Sequence, residues 1–437
     1  MKRLIYIASA FAVCAACQKD DVQQPAHNPG VAPSELYAVI EDGEPSTKIH
    51  LGEYEGRYRV LWDGYNDATA VFAGIDKSSV YRVKGATANT PAATLYLQDG
   101  KAAASETSIS AIAAYYPYPS SGAVGGMQVT ENEDGSYTFP GSFSDSQTYL
   151  EGSFPNRGFP LVAVSEGTDD HSLNFKNAAG ALCVNVKGGA KVKSITLKSN
   201  ESGKVICGNA DITAANTDIA GNVPSYEFTG GKQTLTLNCT PAVQTSADEA
   251  TPFYMGVAPQ TFPEGFTVTL NDVDFTWTVR TDKTQTINRS KVLNMPAVTF
   301  PLKEFDLSKP SSTGSGAVYD SDTQVLQFTG TSNRYVEFSV SDVNLSDCEH
   351  IGLITDDCNC CLKLEFYAKG KYSTASYTWT WYSPGVLTEY YKKVTALPTD
   401  LKTVFEEQDI DRIRIGLNTN VSVDGVPTIH LSRLVLY

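Results

Sequence analysis

Short runs of alternating apolar and polar residues, each stopped by turn residues, recur along most of the chain. Residues 58–62 alternate in this way and end at the acidic turn 63–67, and residues 192–197 repeat the alternation. Residues two apart on a strand share a face, so this period is typical of strands with one face buried. The turns recur at roughly ten-residue intervals, which is the spacing of a β-sandwich or barrel.

The last third of the chain repeats the strand pattern after a Pro-, Ser- and Gly-bearing link over residues 301–316. A jelly roll is built from about eight strands in two sheets, so this run of strands predicts one. The predicted strands are residues 323–329, 334–340, 350–355, 362–367, 375–382, 390–397, 412–417 and 429–437.

The fold class predicted from these patterns is all-β, with two tandem β-sandwich domains followed by a C-terminal jelly-roll sandwich. Long helical patterns are absent from the sequence, and the 23 Tyr and 18 Phe suit a β-rich protein. The predicted segments are a signal peptide at 1–16, a disordered tether at 17–34, and domains at 35–165, 166–300 and 301–437.

The first residues form a secretory signal. Lys2 and Arg3 precede an apolar run over residues 4–16, which is too short for a permanent membrane-spanning helix. Ala15 and Ala16 lead into Cys17 and together resemble a bacterial lipobox, which implies that Cys17 is lipidated and begins the mature chain. Several acyl chains would give a durable membrane anchor. The alternative is an ordinary signal peptide cut near Ala16, with Cys17 a free thiol.

The residues after Cys17 resemble the lipoprotein export signal of Bacteroidetes, in which a lysine is followed by acidic residues. The matching residues are Gln18, Lys19, Asp20 and Asp21. The resemblance implies delivery to the outer face of the outer membrane. The polar stretch that follows contains several prolines and is typical of a disordered tether.

The net charge of the chain limits the classes of partner that we expect. The formal net charge is −15, which disfavours nucleic acid and anionic membrane surfaces. The nine cysteines include Cys14 in the signal and Cys17. An odd number remains, which is not a clean disulfide framework, and these cysteines lie mostly in apolar runs typical of buried positions.

Residues 35–300 resemble fimbrillin-like proteins, the type V pilin and Mfa-like surface lipoproteins of Bacteroidetes. The resemblance rests on the order of several motifs, which are residues 47–48, 60–62, 70–72, 114–118, 172–177, 180–186, 192–197, 253–259 and 265–270. It implies a pair of fimbrillin-like domains and a role in adhesion or fimbriae. In polymerising members an Arg-directed protease removes the first strand, and Arg57 or Arg59 is the candidate region here. The alternative is two solvated arginines.

The C-terminal domain departs from the pilin plan. Residues 410–417 and 428–437 resemble the last two strands of galactose-binding-like carbohydrate modules. A fold of this kind does not by itself imply sugar binding. The extra domain favours an accessory, tip or non-polymerising role over shaft assembly.

An aromatic strand is the most pointed candidate site. Tyr377, Trp379 and Trp381 are two residues apart and would share one face, and Tyr390 follows in the next predicted strand. Together they could form a flat platform on which sugar rings stack. The alternative is that this aromatic face is the sandwich core, where large rings also gather.

Metal and catalytic sites have less support. Cys348 and the cluster at 358–361 could suggest zinc, but the usual spacing is missing and disulfide pairing is an equal alternative in an exported protein. The acidic turns 63–67, 132–135 and 320–322 could hold structural calcium, or could be solvated turns. The five His residues show no catalytic spacing. We therefore expect neither an enzyme nor a cofactor.

The expected function is that of a surface-anchored, fimbrillin-like lipoprotein that acts in cell adhesion or as a fimbria-accessory subunit. The alternative is a glycan-binding outer-membrane lipoprotein that captures polysaccharide. Expected partners are the outer membrane through the lipid anchor, a host or bacterial surface protein or glycan, and other fimbrial subunits, but not nucleic acid.

Overall fold

The all-β prediction is confirmed, because every regular element that the computed structural model describes is a β-strand. Among these residues, no helix has the length and apolar character that crossing a membrane needs. The structure describes residues 32–41, 50–54, 57–62, 68–84, 90–118, 124–155, 158–301, 303–340, 348, 350–358, 360, 362–368, 371–379, 391–396, 410–417 and 425–436.

The N-terminal strands close into a barrel in the order β1-β12-β11-β7-β4-β5-β6, and β2 and β3 form a separate hairpin. In the barrel core, the buried Trp62 ring meets Tyr116 and Phe175 edge-on, with centroids 5.9 and 5.4 Å away. The strands are β1 (Glu35–Ile40), β2 (His50–Tyr54), β3 (Arg57–Leu61), β4 (Ala68–Ile75), β5 (Ser79–Val83), β6 (Ala92–Leu97), β7 (Ser108–Tyr116), β11 (Leu161–Val164) and β12 (Ser172–Asn177).

The central part of the chain forms several packed sheets. Their orders are β10-β17-β14-β20-β21, β18-β13-β23 with β24 beside β13, β16-β15-β9-β8, and β19-β22. The strands are β8 (Thr130–Glu131), β9 (Tyr137–Phe143), β10 (Ser146–Thr148), β13 (Gly180–Lys187), β14 (Lys191–Ser199), β15 (Cys207–Ala214), β16 (Ser225–Lys232), β17 (Thr234–Gln244), β18 (Thr251–Val257), β19 (Gln260–Phe262), β20 (Phe266–Asp272), β21 (Thr276–Thr281), β22 (Gln285–Ile287), β23 (Val292–Asn294) and β24 (Val298–Thr299).

The barrel and the central sheets exchange strands. β9 pairs with β15 and β10 pairs with β17, although both β9 and β10 precede residue 165. Conversely, β12 follows residue 165 and pairs with β1 and β11 of the barrel. The division of the chain at 165 and 300 stays a prediction.

The C-terminal strands form two sheets, β27-β28-β35-β30-β33 with β25 beside β35, and β26-β29-β34-β31-β32. Counted from β28 to β35, the sheets run 1-8-3-6 and 2-7-4-5, the strand order of a jelly roll. The strands are β25 (Lys303–Glu304), β26 (Ser312–Thr313), β27 (Val318–Asp320), β28 (Val325–Gln327), β29 (Tyr335–Ser339), β30 (His350–Cys358), β31 (Leu362–Ala368), β32 (Lys371–Trp379), β33 (Tyr391–Ala396), β34 (Ile410–Leu417) and β35 (Thr428–Leu436).

The jelly roll packs directly on the central sheets. Ile354 and Val435, from β30 and β35, belong to the same buried cluster as Phe275. A Cβ at position 352 would overlap the Phe275 ring, so Gly352 allows the ring to approach the strand. Interiors this close-packed resist sliding, so the C-terminal sandwich is held by this contact rather than by a linker alone.

Candidate functional site

Three neighbouring strands carry charged and aromatic side chains on one face of the β26-β29-β34-β31-β32 sheet. In each strand these residues alternate with buried apolar ones, so the opposite face packs into the core. The pairing register joins them into three rows across the sheet. The rows are Tyr335–Gly416–Lys363, Glu337–Arg414–Glu365 and Ser339–Arg412–Tyr367.

The guanidinium of Arg414 is held in one position by partners on both sides. Its Nη2 and Nε donate to Oε2 of Glu337, at 2.9 and 3.2 Å. Its Nη1 donates to the hydroxyl of Tyr367 at 2.6 Å. The carbon Cζ lies 3.5 Å from the ring centroid of Tyr335 and 4.4 Å from that of Tyr367. An arginine held in this way can bind a ligand through its remaining N–H donors, and its side chain loses little conformational freedom when the ligand binds.

The carboxylate of Glu337 is almost fully buried, with 3% exposure. Arg412 supplies a second cation, with Nη1 3.7 Å from Oε1 of Glu337. A buried carboxylate is tolerated when it is paired and hydrogen-bonded, and Glu337 has both. Glu337 is therefore a positioning residue, because it holds the guanidinium groups of Arg414 and Arg412 in place on this face of the sheet.

A cleft of about 350 Å³ opens over this face. In the strand register Gly416 lies between two of the lining residues, Tyr335 and Lys363. A Cβ at Gly416 would lie only 3.2 Å from the backbone oxygen of Arg334 and 3.2 Å from Cε of Lys363. Glycine therefore leaves the depth that a side chain would fill. The cleft is lined by Thr331, Ser332, Asn333, Arg334, Tyr335, Lys363, Glu365, Tyr367, Arg414 and Leu417.

The lining is polar and mixed in charge. Nζ of Lys363 lies 2.7 Å from Oε1 of Glu365, and the Glu365 side chain is 6% exposed. Cationic groups, a carboxylate and phenol rings thus surround a shallow, open space. Such a set can hydrogen-bond hydroxyl or carboxyl groups of a polar ligand. The described residues offer no group of three or more metal-ligating side chains placed to hold an ion.

The predicted aromatic platform falls only partly within the described residues. Tyr377 pairs with Leu364 and Trp379 pairs with Leu362 in the register of β31 and β32. Both leucines are buried in the jelly-roll core. Residues directly opposite on neighbouring strands share a face, so this register favours the core alternative for positions 377 and 379. Trp381 and Tyr390 lie outside the described residues, and the platform stays a prediction.

The predicted processing site lies in the β2–β3 hairpin. Arg57 pairs with Tyr54 and Arg59 pairs with Gly52. The strand that processing would release is β1, which pairs with β6 on one side and β12 on the other. Its Leu36, Ala38 and Ile40 are buried in the barrel core. Processing itself stays a prediction.

The lipidation and export residues Cys17, Gln18, Lys19, Asp20 and Asp21 lie outside the described residues, so both predictions stand as they were. The same applies to the acidic turn at 63–67. The cysteines at 348, 358 and 360 are buried in the jelly-roll core, and Cys361 lies outside the described residues.

The other two acidic turns use their carboxylates internally. Oδ1 of Asp134 accepts hydrogen bonds from the backbone N and Oγ of Ser136. Oδ1 of Asp320 accepts from the backbone N of Asp322 and of Thr323. Hydrogen bonds of this kind lower the pKa of both carboxyls and are typical of ordinary Asx turns. The calcium alternative stays untested.

The cleft was missed by the sequence predictions, although a signal was present. Residues 335–339, 363–367 and 412–416 alternate charged or aromatic residues with apolar ones. The alternation was used only to predict strands. The pairing of these three strands, which the sequence does not reveal, turns the alternating residues into one surface.

No protein-family model matches the chain, and no curated protein matches it. Solved structures similar to it include a proposed cell adhesion protein of Bacteroides ovatus, with 17% identity, 61% of this chain and 91% of that chain covered, and a TM-score of 0.38. A fimbrial protein of Bacteroides ovatus shows 10% identity over 63% of this chain and 52% of its own, with a TM-score of 0.22.

A third similar structure belongs to the mixed-linkage glucan utilization locus of Bacteroides ovatus and was solved in complex with a mixed-linkage heptasaccharide. It shows 10% identity over 96% of this chain and 76% of its own, with a TM-score of 0.16.

Proposed function

We propose that this chain is a non-catalytic binding protein of the cell surface, in which the C-terminal jelly roll binds a glycan and so mediates adhesion. The observation that supports it most is the cleft over Gly416, where Arg414 is fixed between Tyr335 and Tyr367. The cleft lies on an open sheet face, is lined by polar groups, and has a preorganised donor at its centre. Preorganised polar groups in a concave site favour binding because little ordering is needed when the ligand arrives.

The barrel and the central sheets are consistent with a role in presenting the jelly roll to its ligand. Along the sequence, the barrel and the central sheets lie between the predicted lipid anchor at Cys17 and the jelly roll. The buried contact between Phe275 and Gly352 would keep the jelly roll in a fixed orientation on the central sheets. We include in the proposal a lipidated, fimbrillin-like protein on the outer face of the outer membrane, because the N-terminal sequence pattern supports that location.

A second candidate function is capture of polysaccharide for growth through the same cleft. The open shape of the cleft favours it, because an open groove accepts a long chain that extends beyond the lining residues. Cells that carry the protein would separate the two functions. If the function is adhesion, we expect cells that carry the protein to bind an immobilised glycan. If the function is capture, we expect slower growth on that glycan when the gene is deleted.

The test of the binding function is a glycan-array screen of the full chain beside Gly416→Val. A valine would add side-chain atoms between the lining residues Tyr335 and Lys363, where even a Cβ has neighbours at 3.2 Å. The matched control is Gly230→Val, because a Cβ at position 230 has no neighbour within 4 Å. We expect binding that Gly416→Val loses and Gly230→Val keeps, with both variants folded by circular dichroism. Binding that survives a filled cleft would refute the site. If Gly416→Val does not fold, Tyr335→Leu tests the same wall of the cleft.

A further inference from the structure

The charge of the cleft differs from that of the chain. Three cationic residues line it, Arg334, Lys363 and Arg414, against one carboxylate, Glu365. The chain as a whole carries a formal net charge of −15. A locally cationic cleft in an acidic protein concentrates anions there and repels them elsewhere.

The three cationic residues differ in whether they already form an ion pair. Arg414 is paired with the buried Glu337, and Lys363 with Glu365. Arg334 makes no ion pair with any residue that the structure describes. Its backbone is fixed, because its carbonyl oxygen accepts a hydrogen bond from the backbone N of Leu417 at 3.1 Å. Arg334 is half-buried and is one of the residues that line the cleft.

Arg334 and Lys363 both lie next to Gly416. A Cβ at Gly416 would lie 3.2 Å from the backbone oxygen of Arg334 and 3.2 Å from Cε of Lys363. Both residues also line the cleft, so an anion bound beside Gly416 would have a cationic residue to either side. A carboxylate suits this place, since a guanidinium binds it through two parallel hydrogen bonds and an ammonium adds a third donor.

We propose that the glycan bound in this cleft carries a carboxylate, as a uronic or sialic acid does, and that Arg334 and Lys363 bind that group. The inference rests on the proposed function and specifies its ligand class. A neutral sugar would partly dehydrate Arg334 and offer only dipoles in return, whereas a carboxylate compensates the charge. Lys363 and Arg414 are both paired with a carboxylate, but the Lys363 side chain is 36% exposed against 18% for Arg414. Lys363 is therefore the more accessible of the two, and Arg414 is left to bind hydroxyl groups.

The test compares matched glycans by calorimetric titration of the full chain. The pairs are oligogalacturonate with its methyl ester, a hyaluronan oligosaccharide with its methyl ester, and sialyllactose with lactose. A sulfated galactan oligosaccharide separates carboxylate recognition from general anion binding. We expect at least one acidic member to bind about tenfold or more tightly than its neutral partner, and that preference to weaken as salt is raised.

Variants assign the effect to residues. Arg334→Gln and Lys363→Gln are each expected to lower affinity for the acidic glycan about tenfold while leaving the neutral partner unchanged. The matched control is Arg280→Gln, which removes an exposed arginine of β21 and should change neither. Arg334→Gln remains informative if Lys363→Gln folds poorly, because Arg334 supports no ion pair among the described residues.

Each outcome bears on the inference. Equal binding of acid and neutral partner in every pair would overturn it while leaving glycan binding in place. Tighter binding of the sulfated oligosaccharide than of any carboxylate would also overturn it. Binding to none of these glycans would count against both the acidic ligand and the proposed function.

Discussion

The guanidinium of Arg433, on the last strand of the jelly roll, is hydrogen-bonded to Asp272, at the end of β20 in the central sheets. Nη1 of Arg433 lies 2.5 Å from Oδ1 of Asp272. Asp274 and Glu304 also accept hydrogen bonds from Arg433, at 2.6 and 2.8 Å. The Phe275 ring lies beside the guanidinium, with its centroid 5.2 Å from Cζ. One buried cation thus joins two sheet systems that pack on each other.

The pKa of Arg433 depends on two opposing effects at this interface, burial and hydrogen bonding to carboxylates. Burial on its own would lower that pKa, because it penalises the charged form. The hydrogen bonds that Arg433 donates to Glu304 and Asp272 outweigh burial and leave the pKa raised. Arg433 therefore stays charged, and its removal would take away the cation that Asp272, Asp274 and Glu304 share.

Replacing Arg433 should destabilise the whole chain. We expect Arg433→Met to lower the free energy of unfolding by about 3–5 kcal/mol, because it removes the cation paired with the buried Asp272 carboxylate. Urea denaturation monitored by circular dichroism measures this. The matched control is Arg280→Gln, whose ion pair with Asp282 is exposed and should contribute less than about 1 kcal/mol. Equal effects of the two variants would contradict the interface described here.

Position 379 should behave as a core position. Its register partner Leu362 is buried, so Trp379→Ala is expected to lower the free energy of unfolding by about 3–5 kcal/mol. Thr378→Ala is the control, because the register partner of Thr378 is Lys363, which lines the cleft, and we expect this substitution to cost under about 1 kcal/mol. Thermal unfolding of both variants decides. A folded Trp379→Ala chain of normal stability that no longer binds glycan would support the aromatic platform instead.

Cleavage at the predicted processing site should not free the first strand. Trypsin under native conditions is expected to cut at Arg57 or Arg59, and Arg57→Gln/Arg59→Gln should resist that cut. The fragment bearing β1 should stay bound, because Leu36, Ala38 and Ile40 are buried and β1 pairs on both edges. Gel filtration followed by mass spectrometry tests this in buffer and in urea. Release of the fragment in buffer alone would show that β1 is held more weakly than these contacts indicate.

Alkaline pH should destabilise the fold. Burial raises the pKa of the Cys183 and Cys207 thiols to about 11 and that of Cys239 to about 12, from a usual value of 9.0. Between those values the unfolded thiols ionise while the folded ones keep their protons. Stability is therefore fully present below about pH 9 and falls as pH rises, by up to about 1.4 kcal/mol per pH unit for each thiol.

Urea denaturation at several pH values between 8 and 11 measures that slope, with Cys239→Ala as the matched variant. The variant lacks one of the three titrating thiols, so its stability should fall less steeply. An unchanged slope would show that Cys239 does not contribute to the pH dependence.

The strands of the fold could be predicted from sequence, because the burial of one face of a strand is visible in its alternation of apolar and polar residues. Residues 334–340, 362–367 and 412–417 were predicted as strands, and β29, β31 and β34 lie there. The exchange of β9, β10 and β12 between barrel and central sheets could not be predicted. Alternation fixes which side of a strand is buried, but it does not say which strand lies next to it.

The candidate site was harder to predict for the same reason. Trp379 drew attention because aromatic rings are conspicuous in sequence, yet its register partner is a core leucine. Arg414 and Glu337 are far apart in the sequence, and only the pairing of β29 with β34 makes them neighbours. Arg433 gave no signal at all, since its partners Asp272 and Asp274 lie in another sheet system.

The central claim is that the cleft over Gly416 is where glycan binds, and hydrogen–deuterium exchange tests it most directly. The full chain would be compared with and without the tightest glycan from the array. The account predicts slower exchange in β29, β31 and β34, around Tyr335, Lys363 and Arg414, and little change in the barrel. Protection confined to β32 and β33, or to the barrel and central sheets, with none in those three strands, would contradict it.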